Sequence, residues 1–218
     1  MKVEPRDQKV IDNYLMLVGS IVPRPIAWVS SCGEDGSTNL APFSFFTCVC
    51  VNPPMVSITV SRRGKEEKDT VRNIKEKKEY VVNVVPNQLD NVMVGSAIGL
   101  SYGESEIETL GLTAVPSELI DAPRLAESPI NLECRLHDIV LLGPHKHTLI
   151  IGEVVMFHMK ESILTNGLPD MAKLQPVGRL NFDLYCRTQD IYELVMDDHF
   201  SQDRKDARKI IPKKISSS

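Results

Sequence analysis

The sequence contains none of the short motifs that define several large enzyme classes. No G-x-G-x-x-G stretch follows the first predicted strand, and HExxH, CxxC and G-x-S-x-G are all absent. These absences argue against a Rossmann dinucleotide site, a zinc protease, a zinc ribbon, a thioredoxin-type centre and a nucleophile elbow. His145 and His147 provide only two possible ligands, so no metal site is predicted. A Ser-His-Asp triad is spatial rather than sequential and stays open at this point.

Long apolar runs and a dense cysteine framework are also missing. No run approaches the roughly 20 apolar residues that span a bilayer, and the polar N-terminus MKVEPRDQKV lacks the apolar core of a signal peptide. We therefore expect a cytoplasmic protein without a membrane partner. The five cysteines are too few and too scattered for a disulfide scaffold. Cys48 and Cys50 lie two apart in an apparent strand and are expected to be small buried side chains on one face.

Aromatic residues are scarce, and the net charge is not positive. Aromatics make up 6% of the 218 residues, and the formal net charge is −4. A barrel that binds single strands needs stacking aromatics and a positive groove, so nucleic-acid binding is not expected. Arg62, Arg63 and a basic C-terminal tail are the only features that favour it. The length suits one domain, predicted over residues 1–195, followed by a polar, basic tail over 196–218.

One stretch, from Arg24 to Thr70, carries most of the information. A strand is predicted over residues 26–31, followed by the glycine-containing turn CGEDGST and an apolar segment over 39–51. The prolines of Asn52-Pro53-Pro54 interrupt pairing, and a second strand is predicted over 55–61. A basic cluster follows this strand directly. Asp69 and Thr70 are favourable N-cap residues for a helix predicted over 69–78.

The rest of the chain predicts more strands than helices. Strands are predicted over residues 79–85, 131–142 and 147–158, the last two joined by a turn at 143–146. Further helical segments are predicted over 8–19 and 87–98. Strands and helices do not alternate regularly, which disfavours a doubly wound parallel sheet. The pattern predicts a mainly β protein, an antiparallel β-barrel with peripheral helices.

The end of the second strand is a candidate phosphate site. Helix N-termini expose unpaired N–H groups and carry positive partial charge. Basic side chains and the Thr70 hydroxyl beside such a terminus would suit a phosphate. The alternative is that RRGKEEKD is a solvated, charge-rich loop.

The segments RPIAWVSS, NLAPFSFF, NPPMVSITV and RRGKEEKDTVRNI occur in this order and at this spacing in the sequence. Together with YVVNVV, SPINLECRL and HTLIIGEVV, they resemble the flavin reductase-like family, which includes the flavoredoxins. The resemblance covers most of the chain from about residue 10 to 190. It implies an FMN-binding split β-barrel.

The resemblance also implies which residues meet the cofactor. The phosphate end corresponds to Arg62, Lys65, Lys68, Asp69 and Thr70. The segment that lines the isoalloxazine ring corresponds to Asn39, Ala41, Pro42, Ser44 and Thr47, with Arg24 and Trp28 beside it. His147 corresponds to a histidine near the flavin and nicotinamide, and it is the candidate catalytic residue. The alternatives are core packing for Trp28 and a rim histidine bonded to the backbone for His147.

The implied function is that of an NAD(P)H-dependent flavin reductase-like oxidoreductase. Hydride would pass from NADH or NADPH to FMN, and electrons would go on to oxygen, a flavin, a metal ion or a partner protein. The resemblance further implies a homodimer with the flavin near the interface, which would bury the apolar segment NLAPFSFFTCVCV. A flavoredoxin-type electron carrier and a non-enzymatic FMN-binding protein are the alternatives.

Overall fold

The computed structural model describes residues 1–62, 64 and 66–192. Lys65 and the predicted tail over 196–218 therefore lie outside the described residues. The helices are α1 (Val10–Ser20), α2 (Asp69–Lys77), α3 (Asp90–Gly95), α4 (Glu106–Thr109) and α5 (Met171–Leu174), with 3₁₀ turns at Pro5–Asp7, Asn87–Leu89 and Glu161–Ile163. The strands are β1 (Arg24–Pro25), β2 (Ala27–Cys32), β3 (Thr38–Phe43), β4 (Phe46–Val51), β5 (Pro54–Val60), β6 (Glu79–Val84), β7 (Ala114–Val115), β8 (Arg124–Leu125), β9 (Ile130–Leu142), β10 (His147–Met159), β11 (Leu164–Thr165), β12 (Leu168–Pro169), β13 (Val177–Arg179) and β14 (Tyr185–Arg187).

A seven-stranded antiparallel sheet forms the centre of the protein, in the order β3-β2-β6-β9-β10-β5-β4. Its longest unit is the hairpin β9–β10, whose turn places Gly143 and Lys146 at positive φ. The N–H of Thr59 donates to the carbonyl of Phe45 at 2.8 Å, which ties the β3–β4 turn to β5. The prediction of a mainly antiparallel β protein with peripheral helices is confirmed.

Two apolar clusters lie on opposite faces of β2, because successive side chains of a strand point in opposite directions. Ala27 and Val29 pack towards Ile74 of α2 in one cluster. Trp28 packs with Met93 of α3 and with other buried residues in the second. All six residues of β2 are buried, so this strand is covered on both faces. The β2–β3 end of the sheet is therefore enclosed by α2, α3 and α4.

The apolar segment predicted over 39–51 forms two strands rather than one. β3 ends at Phe43 and β4 begins at Phe46, and the turn between them lets β4 pair with β5 at the far edge of the sheet. Cys48 is exposed and Cys50 only half-buried, so the prediction that both are buried is wrong. The pairing register shifts between these two residues, which breaks the strict alternation of faces along β4.

The N-terminus of α2 differs from the predicted cap. Lys68 is the N-cap residue, and no side chain caps this helix end. Asp69 and Thr70 are instead the first two helical residues. Thr70 is free for another role because its hydroxyl is turned towards β3, where it meets Asn39.

Candidate functional site

Two cavities meet where β3 passes the first turn of α2. The first, the Thr70 cavity, has a volume of about 320 Å³. It is lined by Asn39, Ala41, Pro42, Glu66, Glu67, Lys68, Asp69, Thr70, Arg72, the segment 96–102 and Glu106. The second, the Arg24 cavity, has a volume of about 680 Å³. It is lined by Tyr14, Arg24, Ile26, Pro42, Phe43, Ser44, Lys68, Asp90, Asn91, Met93, Val94, Ala97, Arg179, Phe182, Asp183 and Tyr185. Pro42, Lys68 and Ala97 belong to both, so the cavities adjoin.

Thr70 provides a hydrogen-bond donor to the Thr70 cavity. Its side chain is 1% exposed, and Asn39 Nδ2 donates to its hydroxyl oxygen at 2.9 Å. Because the oxygen already accepts from Asn39, the hydroxyl hydrogen remains for an acceptor in the cavity. The N–H groups of Val71 and Arg72 donate to the Lys68 carbonyl, which leaves those of Asp69 and Thr70 without intrahelical partners. These groups and the helix dipole favour an anion here.

Lys68 and Arg72 are the described cations that line the Thr70 cavity. The Lys68 ammonium lies 5.6 Å from the centroid of the Phe43 ring. The Arg72 guanidinium lies 4.2 Å from the centroid of the Tyr102 ring and 3.7 Å from an Asp69 carboxylate oxygen. Sequence reasoning missed Arg72 and Tyr102. The three-residue spacing from Asp69 could have suggested Arg72, since it places both side chains on one face of a helix.

Glu67 forms ion pairs with two neighbouring cations. Its Oε1 accepts from Arg62 at 2.9 Å and from Lys75 at 2.5 Å. The hydrogen bond from Lys75, helped by that from Arg62, lowers the pKa of Glu67 despite partial burial. Arg62, predicted to bind the phosphate, is thus held by Glu67 and does not line either cavity. The ion pair between Arg62 and Glu67 partly neutralises the Glu67 carboxylate, which lines the Thr70 cavity.

Glu106 is a buried carboxyl group in the Thr70 cavity. Its Oε2 accepts from the N–H of Leu40 at 2.8 Å, a donor on the outer strand β3. Burial, with a smaller contribution from Asp69, raises the pKa of Glu106. It therefore takes up a proton at a higher pH than an exposed glutamate would. Sequence reasoning missed this residue, because its partner is 66 residues away.

Arg24 forms part of the wall of the Arg24 cavity. It is only 7% exposed, and its guanidinium donates to the carbonyls of Val18, Ile21 and Leu180 at 2.5, 2.7 and 2.7 Å. Nε donates to the hydroxyl of Ser44 at 3.4 Å. Burial lowers the pKa of Arg24. Most of its donors are therefore used to join α1, β3 and the C-terminal strands, and a contact with a cofactor stays a prediction.

Trp28 is completely buried. It is 0% exposed, and its indole N–H donates to the Ser96 hydroxyl at 2.8 Å. Ser96 in turn donates to the Met93 carbonyl at 2.7 Å. Ser96, not Trp28, lines the Thr70 cavity. This environment agrees with core packing, the alternative for Trp28, and a contact with a flavin ring stays a prediction.

The remaining predicted residues divide into two groups. Asn39, Ala41, Pro42, Ser44, Lys68, Asp69 and Thr70 all line one or both cavities. Thr47 and His147 line neither of the two. Thr47 is exposed on the outer strand β4, and His147 begins β10 opposite Leu142.

The described part of the chain contains neither a metal-binding cluster nor a membrane-spanning helix. No three His, Cys, Asp or Glu side chains there come together in a way that could hold a metal ion. None of the helices there is both long enough and apolar enough to cross a membrane.

Comparison with known proteins places these features in a family. The profile of the Flavin reductase like domain matches residues 18–173. The uncharacterized protein BH2278 of Halalkalibacterium halodurans is 37% identical over 199 residues, which cover 89% of this chain and 95% of that protein. The crystal structure of nitrilotriacetate monooxygenase component B from Bacillus cereus superposes with a TM-score of 0.86 at 38% identity, covering 89% of this chain and 98% of the other.

A more distant structure identifies the architecture. A split barrel domain protein from Shewanella frigidimarina has a TM-score of 0.78 at 20% identity, covering 90% of this chain and 99% of the other. This likeness shows the fold alone. The seven-stranded sheet is thus a split barrel, and the predicted fold is confirmed. Because the profile match covers most of the chain, including β3 and α2, where the two cavities meet, the chain belongs to the flavin reductase like family of flavin-binding oxidoreductases.

Proposed function

We propose that this protein is an FMN-dependent oxidoreductase that takes hydride from NADH or NADPH and passes electrons to a further acceptor. The observation that carries the proposal is the junction of the two cavities at Lys68. An anion-binding helix end on one side of Lys68 and a larger cavity on the other match the two ends of a flavin mononucleotide. We infer that Thr70 marks the phosphate end and Ser44 the ring end.

The donors at the phosphate end suit a phosphate group. The Thr70 hydroxyl, the N–H groups of Asp69 and Thr70 and the Lys68 ammonium would supply neutral and charged donors together. The acidic residues of the cavity oppose this only in part. Asp69 lies beside Arg72, and Glu67 is paired with two cations. Burial raises the pKa of Glu106, so this carboxyl group is more easily protonated than an exposed glutamate.

The ring end would be formed by Pro42, Ser44 and the neighbouring backbone of β3. Bound FMN would supply the redox chemistry, accepting hydride from a nicotinamide and passing electrons on. The chain's own contribution is to hold the two reactants in a fixed orientation, and this requires no side-chain acid or base. His147 lines neither cavity of its own chain. We therefore assign it, with Thr47, to a flavin held mainly by a second protomer.

The outer strand β4 supports the proposed homodimer. Val49 and Val51 are 50% and 90% exposed, and β4 is the last strand at its edge of the seven-stranded sheet. An unpaired edge with exposed valines is a surface that proteins usually cover. A second copy of the chain would cover it and would bring Thr47 of β4 towards a neighbouring site.

Val49→Lys should separate the protomers. An ammonium buried in an apolar interface should raise the dimer dissociation constant by about tenfold or more. Size-exclusion chromatography with light scattering over a concentration series measures this constant. Leu119→Lys is the matched control, because Leu119 is also exposed but lies away from β4. Dimers of unchanged stability in Val49→Lys would contradict the assignment of β4 to the interface.

Two alternatives remain within the same fold. A flavoredoxin-type carrier would receive electrons from a protein, and a non-enzymatic protein would only bind FMN. The relative from Bacillus cereus is named as one component of a monooxygenase, which supports a protein acceptor for electrons from this chain.

The visible absorbance of the purified protein tests the proposal. With added FMN we expect flavin bands at about one flavin per chain, which bleach under anaerobic conditions when NADH or NADPH is added. Flavin that binds without bleaching by either nucleotide would contradict the reductase activity and favour one of the two alternatives. The absence of flavin binding would overturn the proposal.

A further inference from the structure

A third cavity lies at the open end of the β9–β10 hairpin, away from both cavities of the proposed flavin site. It has a volume of about 380 Å³, and its polar lining includes Arg124, Ser128, Asn131, His158 and Lys160. We call it the His158 cavity. It has no lining residue in common with the Thr70 or Arg24 cavity. No carboxylate occurs among its described lining residues, whereas four line the Thr70 cavity.

A buried carboxylate holds His158 in place. Nε2 of His158 lies 2.6 Å from Oε1 of Glu133, which is completely buried. Burial by itself would raise the pKa of Glu133. The hydrogen bonds from the N–H groups of Glu118 and Leu119 and the contact with His158 outweigh this effect, so the pKa is lowered and the carboxylate stays ionised. The His158 Nδ1 lies 3.9 Å from the nearest Glu118 oxygen, which is too far for a hydrogen bond. That nitrogen therefore makes no hydrogen bond to Glu118.

Arg124 has unused donors in the same cavity. Its Nε and one Nη donate to the Pro116 carbonyl at 3.2 and 2.9 Å, which fixes the plane of the guanidinium. The other Nη makes no hydrogen bond to a described protein atom, and it is not sealed from solvent. Two Nη groups side by side match the two oxygens of a carboxylate.

Lys160 and the apolar residues complete the cavity. The Lys160 ammonium donates to the Glu127 carbonyl at 3.2 Å and keeps further N–H groups. Phe157, which is 50% exposed, and Met159 line the cavity with Val115 and Leu125. An anion bound to the cations would therefore lie next to apolar surface.

We propose that the His158 cavity binds a small organic carboxylate with an apolar body. Arg124 would receive the carboxylate through its Nη groups, with the Lys160 ammonium beside it. Phe157 and Met159 would cover the apolar part of the ligand. The described lining itself contains no carboxylate, although the buried Glu133 lies behind it, with Oε1 3.8 Å from Arg124 Nε. The two fixed cations and the exposed apolar side chains favour this class over a bare inorganic anion.

Isothermal titration calorimetry of the full chain with benzoate tests this site. We expect binding of one benzoate per chain with a Kd at or below about 5 mM, whereas benzyl alcohol and acetate should each bind at least about fivefold more weakly. Arg124→Gln should weaken benzoate binding about tenfold or more, because charged hydrogen bonds are lost. Lys160→Met should weaken it about threefold. Arg187→Gln is the matched control, since its exposed side chain is paired with Asp90 and lines none of the three cavities.

The same titration distinguishes this site from the proposed flavin site. Far-UV circular dichroism and the thermal midpoint establish that the variants are folded, and Arg124→Gln should bind FMN as the wild type does. The proposal would be overturned by absent benzoate binding, by equal affinity for benzyl alcohol, or by unchanged benzoate binding in both cavity variants. The proposal would also be overturned if benzoate perturbed the absorbance of bound FMN and its affinity were the same for Arg124→Gln as for the wild type.

Discussion

Replacing Lys68 by Met and Thr70 by Val together should lower the affinity for FMN by about 100-fold, roughly 2.7 kcal/mol. The Lys68 ammonium and the Thr70 hydroxyl line the same cavity at the first turn of α2. Hydrogen bonds that involve a charged group contribute about 1.5–3 kcal/mol each. The loss of two such donors to a phosphate accounts for the expected size. Fluorescence titration of the apoprotein with FMN measures it.

Riboflavin provides the sharpest control for this double variant, because it lacks the phosphate. If the two residues address the phosphate, riboflavin affinity should change by less than about threefold in the same variant. Lys77→Met is the matched protein control, since the Lys77 ammonium lies 3.6 Å from Asp121 and does not line either cavity of the proposed flavin site. An FMN affinity that falls less than about threefold, or a parallel loss for riboflavin, would contradict the phosphate assignment.

Thr70→Val also affects the fold, and this effect can be separated. The substitution leaves Asn39 Nδ2 without its buried acceptor, which should cost about 1–3 kcal/mol of stability. Lys68→Met alone should cost less, because Lys68 is only half-buried and its loss leaves the Asn39–Thr70 hydrogen bond intact. Urea unfolding and FMN titration of the two single variants therefore separate the change in FMN affinity from the change in folding stability.

Arg24→Met should lower the free energy of unfolding by about 3–5 kcal/mol. The substitution leaves the carbonyls of Val18, Ile21 and Leu180 without their donor. Buried polar groups that lose a charged partner account for this size. Leu180 lies 156 residues from Arg24 in sequence, so one guanidinium holds the N-terminal helix against the C-terminal strands. Urea unfolding measures the change as a lower midpoint at similar slope.

The control for Arg24 is an arginine of similar size with exposed contacts. Arg187 is 61% exposed in its side chain and lies 3.5 Å from Asp90, so Arg187→Met should cost less than about 1 kcal/mol. Arg24→Lys should recover only part of the loss, because one ammonium cannot reproduce the planar set of donors. A loss below about 1 kcal/mol in Arg24→Met would show that these carbonyls find water instead.

Local chemistry allowed much of the fold and part of the site to be predicted from sequence. The prolines after β4, the alternating strands and the basic run before α2 act over a few residues. Lys68, Asp69 and Thr70 lie together because a strand end leads directly into a helix start. Asn39, Ala41 and Pro42 are near them because β3 follows β2 through a short turn. Contacts between residues that are close in sequence depend little on the rest of the chain.

The tertiary structure alone decided which side chains face a cavity. Trp28 is turned into the core by Ser96, 68 residues away, and Glu106 reaches the N–H of Leu40 from 66 residues away. Arg24 binds two carbonyls near it in sequence and also that of Leu180, 156 residues away. A sequence pattern gives the period and the face of an element, but not the element packed against that face. Local patterns and the family resemblance therefore predict the split barrel and a helix end that would favour an anion, whereas long-range packing sets the surroundings of the two cavities.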